Sequence, residues 1–149
     1  DRLAQEGFDA AVSLHCFGGY IYYPWAGKYK RPDDWRELHE IALVMKMAQP
    51  GSHSYRVNQL SHWMQPFRPQ GTELDHFYGK YNTRSFLIEM TRSGIQWYDR
   101  STWKDPFRMY NPKEPQRDID RGHNSILSLV YFYNFNFPIE SLTNPKNTL

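Results

Sequence analysis

An almost unbroken apolar run over Phe8–Phe17 is the feature that most constrains how this 149-residue chain can fold. A strand that is apolar on both sides predicts burial on both faces, which is typical of a parallel or mixed sheet covered by helices. Ser85–Thr91 is a second strand-like run. Segments with helical spacing lie between and after these runs, so the pattern predicts the α/β class, with a mixed sheet flanked by helices.

Three segments carry the apolar spacing of helices. Asp34 and Glu37 form a capping-box pattern at the start of the first, which we expect to end near Ala48. A short helix is predicted over Thr72–Tyr81, with its cap at Thr72 or the residue before it, and a closing helix over Asp118–Phe135. The apolar stripe of the closing helix consists of Ile126, Leu129, Val130 and Tyr133.

The remaining segments are predicted as one short strand, two long loops and two ends. Tyr20–Trp25 is an aromatic strand that ends at a proline, and 52–71 is a loop with one short strand. Trp97–Arg117 has no clean period and several prolines, which predicts a loop. Residues 1–6 have the character of a helix end, and 136–149 are predicted as a frayed tail.

The composition narrows the class of protein. With 40% hydrophobic and 23% charged residues, the chain has the make-up and size of one globular domain. The net charge is +2 and the basic residues are spread out, which argues against a nucleic-acid partner. No run approaches the ~18 apolar residues of a membrane span, so no membrane partner is expected. The single cysteine, Cys16, excludes an internal disulfide and a multi-cysteine zinc cluster.

Each of the two strand-like runs holds one polar exception, His15 in the first and Glu89 in the second. Burying such a group without a partner is costly, so two exceptions suggest one site on neighbouring strands. The alternative for His15 is a core histidine satisfied by a backbone carbonyl. The alternative for Glu89 is an ion pair with Arg84 or Arg92.

Two further features, one in the first run and one just after it, are expected to have structural roles. Cys16 follows His15 directly, and neighbours along a strand point to opposite faces, so we expect Cys16 to be a buried packing thiol. The aromatic residues of Tyr20–Trp25 are expected to pack in the core, although such a strand could also form a stacking platform for sugars or bases.

The order of three segments resembles the zinc metallocarboxypeptidases of the carboxypeptidase A type. Ser13–Phe17 followed by Tyr22–Pro24 is similar to the third zinc-ligand segment of that family. The stretch 71–79 (GTELDHFYG) resembles its specificity loop, and Phe86–Glu89 resembles its catalytic strand. The spacing from Asp75 to the acid of that strand also fits the family.

The resemblance implies a zinc-dependent hydrolase that releases the C-terminal residue of a peptide or protein. His15 would be one ligand of Zn²⁺ and Glu89 the general base that takes a proton from the metal-bound water. These roles compete with the structural alternatives given above for both residues.

Substrate contacts follow from the same resemblance. Leu74 would line the floor of the pocket for the C-terminal side chain, which implies a neutral or hydrophobic preference; ordinary helix packing is the alternative. Phe17 matches a substrate-facing position, although packing is also open to it. Phe67 stands where the family has a substrate tyrosine, and phenylalanine cannot donate a hydrogen bond. Arg68 or Tyr55 would have to replace it.

The resemblance makes residues 1–149 the C-terminal portion of a single carboxypeptidase-like domain. The family's His-x-x-Glu pair, its oxyanion arginine and its Asn-Arg pair are absent from this sequence. We therefore expect a complementary N-terminal half, from the same gene or a second chain, to complete the site. The family also favours a secreted or periplasmic location.

Three alternatives to a carboxypeptidase remain open. One is a non-catalytic peptide-binding or scaffolding member of the same fold. Another is an amidase that acts on cell-wall peptides. The third is a sugar-binding module built on the aromatic strand.

Overall fold

Strands and short helices alternate along the part of the chain that the computed structural model describes, which is residues 6–63, 66, 68–91, 98 and 100–135. The strands are β1 Ala10–Cys16, β2 Tyr20–Tyr23, β3 Arg56–Gln59 and β4 Arg84–Met90. The helices are α1 Trp35–Met47, α2 Leu60–Trp63, α3 Glu73–Tyr81, α4 Pro106–Tyr110 and α5 Gln116–Asn134, with a 3-10 helix over Arg100–Lys104.

The four strands form one mixed sheet in the order β1-β4-β2-β3. β1 and β4 are parallel, β4 and β2 are antiparallel, and β2 and β3 are parallel. The predicted α/β class, with a mixed sheet flanked by helices, is confirmed.

The main core lies on the sheet face that α1 and α5 cover. Side chains alternate between the two faces of a strand, so alternate residues of β2 and β4 point into this core. Its buried members are Ile21, Tyr23, Leu38, Ile41, Ala42, Met45, Tyr55, Phe86, Ile88 and Leu129. The apolar stripe of α1 (Leu38, Ile41, Ala42, Met45) is the one that the helical spacing predicts.

A smaller buried cluster lies on the opposite face, where α2 and α3 contribute Leu60 and Leu74. Its strand residues are Tyr20, Tyr22 and Leu87, which alternate with the strand residues of the main core. Both faces of β2 are therefore buried, which explains why all four of its residues are inaccessible. This second face also holds the polar residues of the candidate site.

The two predicted helix starts differ in outcome. The Thr72 hydroxyl accepts from the backbone N–H of Asp75, so the cap of α3 is confirmed. Asp34 makes no side-chain cap for α1, because its carboxylate accepts from the Tyr78 hydroxyl. Glu37 is paired with Arg84 instead, so the capping box is not formed.

Several local predictions need correction. The segment predicted as a loop over Trp97–Arg117 holds the 3-10 helix and α4, and 52–71 holds α2 as well as β3. Val130 is 48% exposed and does not belong to the buried stripe of α5. The predictions for residues 1–5 and for the tail 136–149 lie outside the described residues. Within the described ranges, no helix has the length and apolarity needed to cross a bilayer.

Candidate active site

His15 and Glu89 face each other across the parallel β1–β4 pair, one residue before each strand ends. Residues that pair in register project from the same face of a sheet. Both side chains therefore lie on the face that α3 covers, and neither points into the main core. Two polar exceptions 74 positions apart in the sequence are thus neighbours in the fold.

The Glu89 carboxylate is partly buried, and its Oε2 atom has no hydrogen-bond partner among the described residues. Burial raises the pKa of Glu89 above its usual value, although the nearby His15 lowers it in part. The ion pair with Arg84 is not formed, because the Arg84 guanidinium lies 3.1 Å from Glu37. Arg92 lies outside the described residues.

The glycine pair after β1 lets the chain turn tightly beside Glu89. The backbone N–H of Gly18 donates to Thr91 and that of Gly19 donates to Glu89, at 2.9 and 2.8 Å. A Cβ atom on Gly18 would lie 3.1 Å from the Cβ of Glu89. Gly19 has a φ of +69°, a conformation that other residues rarely adopt. The turn therefore sets the position of Glu89 through its backbone.

The His15 imidazole is half-exposed and bound by side chains, so it is not a core histidine held by a carbonyl. Its Nε2 atom lies 2.7 Å from Oε1 of Glu73 and 3.0 Å from Oγ of Ser13. The Ser13 hydroxyl donates to the same Glu73 oxygen at 2.6 Å. The three side chains form a closed triangle between β1 and the first turn of α3.

Glu73 carries a negative charge in this triangle. Burial raises the pKa of Glu73, but hydrogen bonds from Ser13, from its own backbone N–H and from His15 outweigh burial, and the net pKa is lowered. Sequence reasoning missed both Glu73 and Ser13. Ser13 was findable, because it lies two residues before His15 and so on the same face. Glu73 carried no such signal.

A row of polar residues continues across the sheet from this pair. Tyr20 on β2 pairs with Glu89, and Arg56 on β3 pairs with Tyr20. The Arg56 guanidinium donates to the Tyr20 hydroxyl at 3.4 Å. Tyr20 stacks on Tyr22, whose pKa is raised by burial and further by Tyr20 and Glu89. These aromatic rings form one wall beside Glu89.

The aromatic strand is not a platform open to sugars. Tyr20, Tyr22 and Tyr23 are 7%, 3% and 3% exposed, so their rings belong to the two cores. The packing interpretation of this strand is confirmed by their burial. Trp25, just beyond the strand, packs its ring edge-to-face on Tyr78.

The three expected substrate residues each pack against different neighbours. Leu74 is 1% exposed in the smaller cluster, and it lines a cavity of about 110 Å³ that Glu73 also lines. The Phe17 ring packs edge-to-face on Tyr110, with 5.3 Å between centroids. The Arg68 guanidinium lies 5.2 Å from the centre of the Tyr29 ring.

Tyr55, one of the two residues expected to replace the substrate tyrosine, lies away from the site. Tyr55 is fully buried on the other face, where its hydroxyl donates to Asp118 and accepts from the Thr91 backbone N–H. It therefore cannot replace the family's substrate tyrosine while this packing holds. Phe67 itself lies outside the described residues.

The prediction that Cys16 is a buried thiol was wrong, because the side chain is exposed. Cys16 is the last residue of β1, which is one of the two edge strands of the sheet formed by the described residues. Leu14 lies on the same side of that strand and is 52% exposed. Because Leu14 and Cys16 are both exposed on this side, the expectation that β1 is covered on both faces was also wrong.

The described residues fit one ligand of a zinc site and its base. No three His, Cys, Asp or Glu side chains cluster to hold a metal ion in the part of the chain that the structure describes. A catalytic zinc usually takes three protein ligands. His15 offers one imidazole whose Nε2 is already bound, which leaves Nδ1 for a metal. Oε2 of Glu89 has no partner among the described residues, which suits a carboxylate that accepts and releases a proton.

The chain is similar to a known protein family over most of its length. The family model described as zinc carboxypeptidase matches residues 1–120. No curated protein matches the chain by sequence.

Similar solved structures include the carboxypeptidase A from Helicoverpa armigera, at 20% identity and a TM-score of 0.59. The match covers 80% of this chain and 28% of that one. Bovine thrombin-activatable fibrinolysis inhibitor, in complex with tick carboxypeptidase inhibitor, matches at 16% identity and a TM-score of 0.68, over 91% of this chain and 43% of that one. A further structure of thrombin-activatable fibrinolysis inhibitor matches at 18% and 0.65, over 91% and 31%. The chain thus spans less than half the length of these structures.

Proposed function

Because this chain belongs to the zinc carboxypeptidase family, we propose that the protein containing it hydrolyses the C-terminal peptide bond of a peptide or protein with the help of Zn²⁺. The observation that carries the proposal is the pairing of His15 with Glu89 at the ends of adjacent parallel strands. It is supported by Oε2 of Glu89, a buried carboxylate oxygen that has no hydrogen-bond partner among the described residues.

Glu89 acts as the general base in this proposal. Its pKa is raised by burial, which makes the carboxylate a stronger proton acceptor than an exposed glutamate. The Gly18–Gly19 turn and the Tyr20 wall fix its position. His15 is one zinc ligand, and the bound metal would acidify a water molecule and polarise the scissile carbonyl.

The substrate's C-terminal side chain binds near Leu74 in this proposal. An apolar floor leaves a basic or acidic side chain without a partner, so the preference is for neutral or hydrophobic residues. Phe17 adds apolar surface at the end of β1. Arg68 is the described residue that we assign to the substrate carboxylate, through a movement away from Tyr29.

The other zinc ligands come from a complementary N-terminal segment in this proposal. One imidazole is fewer than the three ligands of a catalytic zinc, and the similar structures extend well beyond this chain. That segment is part of the same gene or a second chain. The proposal includes a secreted or periplasmic location, which cell fractionation tests.

Glu89→Gln in the native protein tests the central assignment. Glutamine keeps the shape of the side chain but cannot accept the proton, so we expect zinc to be retained and the rate of C-terminal hydrolysis to fall by about 10²–10⁴-fold. The zinc content is measured by elemental analysis. The rate of hydrolysis is measured with blocked dipeptide substrates.

Glu37→Gln is the matched control, since Glu37 is a half-exposed acid whose partner is Arg84. It should leave both zinc and rate unchanged. Near-normal turnover in Glu89→Gln contradicts the role as base. A native protein with neither zinc nor hydrolysis would favour the peptide-binding alternative.

A further inference from the structure

We propose that Glu73, held by Ser13, is a positioning residue that keeps His15 in the tautomer and orientation needed to bind zinc through Nδ1. This inference rests on the function proposed above. The observation behind it is the closed triangle of hydrogen bonds, in which Nε2 of His15 lies 2.7 Å from Glu73 and 3.0 Å from Ser13.

The chemistry of the triangle determines the tautomer. The Ser13 hydroxyl donates to Oε1 of Glu73, so this oxygen is an acceptor, and the Nε2 atom that contacts the same oxygen therefore carries the hydrogen. A neutral His15 then has its lone pair on Nδ1, which is the form that ligates a metal. The Ser13 hydroxyl donates to the same Glu73 oxygen and thereby fixes that oxygen in place.

Glu73 stands on a firmly attached part of α3. The next residue, Leu74, is 1% exposed in the smaller cluster. The Asp75 carboxylate accepts from the backbone N–H groups of Ala26 and Gly27, at 2.7 and 2.8 Å. Because the first turn of α3 is anchored on both sides, the carboxylate of Glu73 is preorganised. Metal-ligating histidines commonly donate their second N–H to a carboxylate in this way.

A role in fold stability alone does not account for this arrangement. The side chains of His15 and Glu73 are 42% and 40% exposed, and half-exposed ion pairs add little to stability. Removing Glu73 should therefore leave the fold intact while freeing the imidazole to rotate. We expect the loss of Glu73 to weaken the affinity for the metal instead, because removing the carboxylate partner of a ligating histidine typically lowers that affinity by about 10–100-fold.

The test is zinc affinity in the native protein, measured by competition with a chromophoric chelator. We expect Glu73→Ala to weaken zinc binding by about 10–100-fold. Glu73→Gln should recover part of the loss, because the amide oxygen still accepts from Nε2. The visible spectrum of the cobalt-substituted protein should shift in Glu73→Ala, because the imidazole geometry changes. Ser13→Ala should give a smaller loss of affinity.

Glu37→Ala is the matched control, since it removes an acid of 39% exposure from an ion pair with Arg84. Its zinc affinity should equal that of the unmodified protein, and thermal unfolding should show all variants folded. Unchanged or tighter zinc binding in Glu73→Ala overturns the inference, as does an equal loss in Glu37→Ala. An unmodified protein that binds no zinc overturns the proposed function instead.

Discussion

Replacing Leu74 with alanine decides whether this residue packs the smaller cluster or forms the floor of an open pocket. The side chain is 1% exposed and shares its cluster with Tyr20, Tyr22 and Leu87. The change removes three carbon atoms from a fully buried site and leaves a cavity. We therefore expect the free energy of unfolding to fall by about 3–5 kcal/mol.

The assay is urea unfolding of the native protein. The variants are compared provided that the free energy of unfolding decreases with urea concentration at the same slope in each. Leu127→Ala on α5 is the control, because Leu127 is 36% exposed and should lose less than about 1 kcal/mol. Hydrolysis of substrates with C-terminal phenylalanine and alanine is measured alongside.

A loss of less than about 1 kcal/mol for Leu74→Ala would refute the packing argument. If the KM for the phenylalanine substrate rose at the same time, Leu74 would be the pocket floor that the resemblance implies. A large loss of stability with unchanged KM would remove it from the substrate site.

Two further predictions concern the turn beside Glu89 and the dependence of stability on pH. Gly18→Ala places a Cβ atom 3.1 Å from that of Glu89, so we expect slower hydrolysis with zinc retained; a rate equal to that of the unmodified protein would count against the turn's role. Burial, together with the charge of Arg31, lowers the pKa of His39, whose Nδ1 is buried and has no partner among the described residues. The unfolded chain then binds more protons than the folded one below pH ~6.5. The free energy of unfolding should therefore decrease as the pH is lowered below this value, and it should level off above it. His39→Gln should flatten this dependence in urea unfolding measured at several pH values.

Long periodic segments were the predictable part of this fold. The apolar spacing of α1 fixed its buried face, and the run around Ser85–Thr91 gave β4 within one residue, because many side chains contribute to each pattern. α2 and α4 were missed, since helices of four and five residues complete hardly more than one turn. Their stability comes from contacts that no local pattern shows.

The residues of the candidate site were likewise only partly predictable from the sequence. His15 and Glu89 stood out because each interrupts an apolar strand. Glu73 did not, since an acid in the first turn of a helix is ordinary. The capping box at Asp34 was wrong for a related reason, because the carboxylate accepts from the hydroxyl of the distant Tyr78. Contacts between remote segments decide such cases, and a single sequence does not display them.

The triangle of Ser13, His15 and Glu73 has a consequence for folding kinetics. Two of its three hydrogen bonds join residues 58 and 60 positions apart, between β1 and the first turn of α3. Contacts of such sequence separation form late, because loop closure must precede them. Partly folded chains would then lack an oriented imidazole. If His15 binds zinc as proposed, the metal would therefore stabilise the completed fold and not these partly folded chains.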